Sequence, residues 1–175
     1  MDYNAILSPF SEGDTLNVVI EIPMGSNMKI EFDRKRKIMV LDRVEPNIFL
    51  KPCNYGFIPG TLDDDGDELD VLFVTEQPVP TGVVSEATVL GVLEFEDDGE
   101  MDHKVICVPA DDRHTGNRIK SLDDLGEQWK KQIEHHFTHY KDLKKPGSTK
   151  VLGFGDAAKA REVIDECINR WNEQS

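Results

Sequence analysis

Positive charge is what this sequence has least of. Its 20 Lys+Arg face 34 Asp+Glu, a formal charge of −14. Such a chain repels nucleic acid and anionic membrane at long range, so neither is expected as a partner. A phosphate ligand would need positive charge from another source. Long apolar runs are also missing. The longest stretches drawn from AVILMFWYC span four residues, as at 71–74, whereas a membrane span needs about 20. Only three cysteines occur, Cys53, Cys107 and Cys167, far apart and with no CxxC pair. The opening Met1-Asp2-Tyr3-Asn4 puts an acid where a signal peptide wants a base. Reduced thiols and a cytoplasmic location are therefore expected. Aromatics are 7% of the chain, too few for a surface that stacks bases.

Apolar residues, 38% of 175, recur along the whole length. One domain over residues 1–175 is expected, with enough chain to bury a core and no disordered acidic tail. Residues 15–109 read as short strands of period two. Val18, Ile20 and Ile22 share one face. Met28, Ile30 and Phe32 share another, opposite Lys29, Glu31 and Asp33. Residues 37–41 pair back as a hairpin, and 69–74, 88–95 and 101–109 follow as strands. Many short strands broken by Gly, Pro and Asp indicate a small barrel or a sandwich. Helices are predicted over 121–144 and 156–173. Ser121 precedes Asp124 in capping-box order, and Asp156 is the expected N-cap of the second helix. Ala160, Val163, Ile164, Cys167, Ile168 and Trp171 form that helix's apolar stripe, read as core.

The densest chemical feature is Asp63-Asp64-Asp65-Gly66-Asp67-Glu68-Leu69-Asp70. One reading is a solvated acidic turn. The other is a cation site: Asp65 and Asp67 project to one side, Gly66 permits a tight fold, and Asp70 opens a stiff apolar strand. Oxygens converging in this way suit a hard divalent cation. An EF-hand fails, because Thr61 and Leu72 fall where an Asp and a bidentate Glu are required. A second acidic cluster runs 96–104, with Asp97-Asp98-Gly99 as turn chemistry and Asp102 and Lys104 on one strand face. Lys29 and Glu31 belong either to a solvent face or to a polar barrel lining, and Glu21 faces away from Ile20 and Ile22. His135 and His139 stand four apart on the first helix, without the HExxH order of a zinc protease; a surface or subunit-contact role is expected. Gly153-Phe154-Gly155 mimics a dinucleotide fingerprint, but too little chain follows for one, so it reads as a strand-to-helix turn.

Taken together, several stretches resemble the soluble family I inorganic pyrophosphatases in their short bacterial-type form. They are Asp65-Gly66-Asp67-Glu68-Leu69-Asp70-Val71, Pro52-Cys53-Asn54-Tyr55-Gly56-Phe57-Ile58-Pro59, Val18-Val19-Ile20-Glu21-Ile22-Pro23, Asp42-Arg43-Val44 and His139-Tyr140-Lys141-Asp142-Leu143. The likeness runs in order from about residue 15 to 173. It implies an α+β, mainly β fold: a five-stranded OB-like β-barrel with flanking helices, two of them in the C-terminal third. It implies a hydrolase of phosphate metabolism that splits pyrophosphate into two orthophosphates with several magnesium ions per site, by water attacking phosphorus directly, without a covalent intermediate.

The resemblance also assigns residues. Asp65, Asp70, Asp97, Asp102 and Glu31 would hold metal. Asp67 would orient and deprotonate the water, with Tyr55 beside it and Arg43 assisting. Lys29, Arg43, Lys104, Tyr140 and Lys141 would hold phosphate oxygens, and Glu21 would order the surrounding shell. His135, His139 and Asp142 would lie at a subunit contact in a hexamer built as a dimer of trimers. Three positions depart from the family pattern. Lys51 stands where an aromatic, commonly Tyr, precedes Pro-Cys, and it is given no role. Glu68 replaces a Pro, which implies a less stiff loop. Arg36-Lys37 stands where a turn Gly is common. The alternative enzyme is a magnesium-dependent hydrolase of nucleoside or longer polyphosphates, disfavoured by having only Tyr55 and Tyr140 available to stack a base. A non-catalytic binder of oligonucleotide or divalent ion has no use for Lys29, Arg43, Lys104 and Lys141 beside the acids.

Overall fold

Strand β1 (Leu16–Ile22) is buried along its entire length. Both of its edges are paired, and its alternate side chains enter two apolar clusters. In the computed structural model, which describes residues 1–11 and 13–174, β1 pairs antiparallel with β4 (Asn54–Phe57) on one side and with β6 (Val84–Asp97) on the other. Strand β4 continues antiparallel to β5 (Asp70–Phe73), β5 runs parallel to β8 (Lys104–Pro109), and β8 returns antiparallel to β6. The pairings β1-β4-β5-β8-β6-β1 close a ring of five strands. A ring of five strands with flanking helices agrees with the OB-like fold that the family resemblance implied.

Alternate side chains fill the ring. Leu16, Val18, Ile20, Val71, Phe73, Val105 and Cys107 pack together with Val163, Ile164 and Cys167 of α3 (Ala157–Gln174), which covers that cluster with its apolar stripe. Leu72, Leu93, Phe95, Ile106 and Val108 point the other way, against Ile133 and Phe137 of α2 (Glu127–His139). A separate hairpin, β2 (Met28–Asp33) with β3 (Ile38–Val44), lies beside β1 as its own two-stranded sheet. Phe32 secures it, packing on Phe57 and Tyr3 at ring-centroid distances of 5.3 and 5.1 Å; Tyr3 belongs to the short helix α1 (Tyr3–Ile6). None of the helices among the described residues is long and apolar enough to cross a membrane.

Several expected boundaries shift, each for a physical reason. The helix expected over 121–144 is broken at Gly126: the Ser121–Asp124 capping box closes a 3-10 turn over Leu122–Leu125, and α2 then runs only to His139. The strand expected from 101 begins at Lys104. Asp102 leaves the ladder that β7 (Glu100–Met101) starts, and donates its backbone N–H to the Phe95 carbonyl at 3.0 Å. Gly153 and Gly155 belong to a ninth strand, β9 (Thr149–Asp156), which the sequence pattern did not indicate. It pairs with the second half of β6 and runs straight into α3, with no intervening turn. Asp156 does cap α3, its Oδ1 accepting the Lys159 N–H at 2.9 Å. The β2–β3 turn forms despite the missing glycine, with Lys37 at φ 61° and its N–H on the Asp33 carbonyl at 2.7 Å. The loop with Glu68 in place of Pro is tied down differently. Glu68 is buried, and its Oε1 accepts Arg34 Nε at 2.8 Å and Asn4 Nδ2 at 2.5 Å.

Closing the ring requires β1 and β4 to approach closely at Gly56. A Cβ there would stand 1.9 Å from the Val19 carbonyl oxygen. Because that neighbour is backbone, it has no side chain to move aside. Gly56→Ala is expected to destabilise the fold by about 3 kcal/mol or to prevent the pairing altogether. Urea unfolding checks this, and a midpoint unchanged from the parent contradicts it.

Candidate active site

The parallel register of β5 and β8 sets Asp70 beside Lys104, the first residues of the two strands. The Lys104 ammonium is 1% exposed and reaches Asp70 Oδ2 and Asp102 Oδ1, each at 2.7 Å. The Tyr55 hydroxyl, from β4, donates to the same Asp70 oxygen. Burial, reinforced by Asp102 and opposed by Lys104, pushes the Asp70 carboxyl up to about 6. Burial works against the charged form of Lys104 as well, but Asp70 and Asp102 outweigh it and hold the ammonium above its ordinary value. Glu21, buried beneath the hairpin, accepts the Phe32 N–H at 2.7 Å; burial and then Asp70 raise its carboxyl well above the usual range.

The acidic turn stands over this floor. Asp65 Oδ1 accepts the Asp67 N–H at 3.0 Å, and Gly66, at φ 91°, takes a backbone conformation that favours glycine. Both carboxylates are exposed, as a solvated turn would leave them, yet both also face the cavity. Burial, Asp65 and Glu68 raise the Asp67 carboxyl, with Arg34 opposing them. The hairpin supplies the opposite wall. Lys29 pairs with Glu31 at 2.5 Å, and Arg43 lies between Asp42, at 2.5 Å, and Glu45. A third wall comes from the end of β6 and the residues after α2, where Asp97 meets Lys141 and, at 3.4 Å, the Tyr140 hydroxyl. Here Lys51 lies with its Nζ over the Tyr55 ring at 4.4 Å and the Tyr140 ring at 5.4 Å.

These residues surround one cavity of about 400 Å³. Glu21, Lys29, Glu31, Arg43, Tyr55, Asp65, Asp67, Asp70, Asp97, Asp102, Tyr140 and Lys141 all line it, and Lys104 is buried beneath it. Asp102 and Lys104 meet there although they do not share a strand. His135, His139 and Asp142 lie elsewhere, beside a shallow groove that includes Ile48 and Phe49. Sequence reasoning named Lys51 without a role and passed over the ion pairs of Asp42 and Glu45. The only signal at Lys51 was a cation in place of an aromatic.

A model of the inorganic pyrophosphatase family matches residues 18–172. The chain belongs to the inorganic pyrophosphatase family. An inorganic pyrophosphatase of Neisseria meningitidis serogroup B is 63% identical over 175 residues, 99% of each chain. The crystal structure of an inorganic pyrophosphatase from Neisseria gonorrhoeae superposes with a TM-score of 0.96 at 62% identity, covering 98% of this chain and 99% of that one. That from Thermus thermophilus superposes with a TM-score of 0.89 at 38% identity, covering 98% and 99%. The activity of the chain is the hydrolysis of inorganic pyrophosphate.

For a pyrophosphatase, the chemistry of the cavity is apt. Its carboxylate oxygens are hard donors suited to a hard divalent cation. Asp97 Oδ1 is buried with no hydrogen-bond partner, an acceptor a cation would satisfy. No three of the acids among the described residues already converge on one point. The resident Lys104 ammonium gathers Asp70 and Asp102 in the meantime.

The wall beneath Tyr140 also carries a pH-sensitive contact. The half-buried His136 ring stacks on Tyr140 at 5.8 Å, and its Nε2 is buried without a partner. Burial, then the Lys51 ammonium and His135, pull His136 from 6.5 down to about 3. The folded protein thus refuses a proton that the unfolded chain accepts. The stability tied to neutral His136 is complete above about pH 6.5 and is lost as pH falls toward about 3. His136→Gln is expected to lose less stability than the parent between about pH 7 and pH 4, by on the order of 2 kcal/mol. Denaturant melts across that range decide the matter, and parallel curves for the two proteins overturn it.

Proposed function

We propose that pyrophosphate hydrolysis takes place in this cavity, with magnesium as the metal and with water attacking phosphorus directly. The observation that carries this reading is that one cavity joins carboxylates from the acidic turn, β5, β6 and the Asp102 loop with the cations Lys29, Arg43 and Lys141. The oxygens of Asp65, Asp70, Asp97 and Asp102, with Glu31 acting through water, would hold magnesium, which neutralises phosphate charge and makes a bound water more acidic. Asp67 takes the proton of the attacking water. Its raised affinity for protons brings it nearer to a base that works at neutral pH. As the new oxygen–phosphorus bond forms, the bridging bond breaks and its electron pair leaves with the second orthophosphate.

The basic residues position the polyanion. Arg43 offers a planar fork to two oxygens, while Lys29, Lys104 and Lys141 act as point charges. Tyr140 donates its hydroxyl to phosphate, and Tyr55 orients Asp70. Glu21 ties the hairpin wall to the floor. Little covalent chemistry falls to the protein, because phosphoryl transfer depends mostly on alignment and charge neutralisation.

The reading extends to assembly and location. We place the chain in the cytoplasm, on the ground of three buried, unpaired thiols, and as a hexamer of two trimers. The rings of His135 and His139 lie 4.6 Å apart, and His139 Nδ1 meets Asp142 Oδ2 at 2.8 Å beside exposed Ile48. Two protonated imidazoles at that spacing would repel. Sedimentation at about pH 8 and pH 5 is expected to show a hexamer that loosens in acid; an unchanged hexamer at both contradicts the histidine contact.

Phosphate release from pyrophosphate, ATP and tripolyphosphate, with magnesium and again with EDTA, tests the chemistry. Rapid turnover of pyrophosphate that EDTA abolishes is expected. Comparable turnover of ATP or tripolyphosphate would favour the broader polyphosphate hydrolase. Asp67→Asn is expected to lower kcat about a hundredfold or more with metal affinity retained. A collapse of metal affinity instead makes Asp67 a ligand and not the base.

A further inference from the structure

The cations of the cavity are not equivalent. Lys29 is paired with Glu31, Arg43 with Asp42 and Glu45, Lys141 with Asp97, and the underlying Lys104 with Asp70 and Asp102. Lys51 lines the same cavity and, among the described residues, has no carboxylate within ion-pair distance. What holds it is aromatic. Its Nζ sits 4.4 Å from the centroid of Tyr55, 5.4 Å from that of Tyr140 and 5.8 Å from that of Phe137. Its backbone is clamped as well, the N–H on the Ser26 carbonyl and the carbonyl on the Gly25 N–H, each at 2.9 Å. Pro52 further restricts the residue to extended conformations. The ammonium is therefore positioned but poorly compensated. Ring faces attract a cation more weakly than a carboxylate or phosphate oxygen does.

Its surroundings sharpen this. Burial, with Lys104 and Lys29 adding repulsion and only Asp70 and Cys53 opposing, brings Lys51 down to about 8. His136, stacked on Tyr140, stays neutral beside it. The side chain is charged at neutral pH at a cost that an arriving anion relieves.

We propose that Lys51 contacts the substrate, its ammonium taking a pyrophosphate oxygen on the Tyr55–Tyr140 wall without first breaking an ion pair. This rests on the proposed function of the cavity and adds a fifth cation to the four assigned there. It also gives a role to a position where this chain departs from the tyrosine common in the family.

The test is calorimetric titration of methylenediphosphonate, a pyrophosphate mimic that is not hydrolysed, into magnesium-loaded parent, Lys51→Met and Lys51→Arg proteins. The expected result is about tenfold weaker binding in Lys51→Met, with most of the loss recovered in Lys51→Arg. In turnover, the Met variant should show a similar rise in KM, with kcat within about threefold of the parent. Equal affinity of the parent and Lys51→Met for the mimic overturns the proposal. So does a loss that Lys51→Arg does not recover, which would indicate packing instead of charge. If Lys51→Met fails to fold, Lys51→Gln takes its place with the same expectations. A parent that binds the mimic but releases no phosphate from pyrophosphate refutes the functional reading alone, since the affinities still decide the role of Lys51.

Discussion

One buried ammonium holds the floor of the cavity together. Lys104 reaches Asp70 and Asp102 at 2.7 Å each while only 1% exposed. Removing such a cation from water is costly, and the cost is offset only where geometry supplies two good acceptors. The parallel register of β5 and β8 supplies the first, and the departure of Asp102 from its ladder supplies the second. Without that cation, two carboxylates would stand together in a partly desolvated pocket, and at least one would have to take up a proton. Tyr55, bonded to Asp70, inherits its placement from the same arrangement.

The principle extends up the walls. Lys29, Arg43 and Lys141 each stand against an acid that also lines the cavity or its rim. These three cations are thus paired before anything enters, while acids outnumber cations along the lining. A divalent cation and a polyanion entering together would exchange these partners: carboxylates turn to the metal as ammonium and guanidinium groups turn to phosphate. The excess acidity of the chain acquires a local meaning in this way. A charge of −14 excludes holding pyrophosphate by protein charge alone. The same acids, gathered in one cavity, can hold the cations that receive it.

What could be read from the sequence was what is local. The stripe of α3, the alternation in β1 and the acidic turn depend on spacing within a few residues, and spacing is visible in a string. Strand β9 was hidden because its glycines and exposed residues make a poor strand on their own; pairing with the far half of β6, more than fifty residues earlier in the chain, makes it one. Glu68 gave the impression of a loosened loop because its partners, Arg34 and Asn4, come from elsewhere in the chain. Lys51 had no readable role for the same reason. Its rings come from β4 and from the α2 region, and only the folded chain shows that its neighbours are aromatic and the other cavity cations are already paired.

The hairpin is a wall of the cavity that stands outside the ring. It forms its own sheet, and the contacts that join it to the rest of the fold include the Phe32 ring among Tyr3 and Phe57, the Arg34–Glu68 and Lys37–Asp2 pairs, and the Glu21 carboxyl on the Phe32 N–H. It also carries Lys29, Glu31 and Arg43, the wall that faces the acidic turn. The width of the cavity therefore depends on contacts made beneath it, and the bond from Glu21 is the most direct of them. Among the described residues no cation pairs with that acid, and its proton affinity is raised mainly by burial. Its position is expensive for a group whose bond goes to the backbone of the hairpin. It is justified if the distance between the two walls is what the site must hold constant, since a base and a substrate separated by an extra ångström lose much of the benefit of alignment.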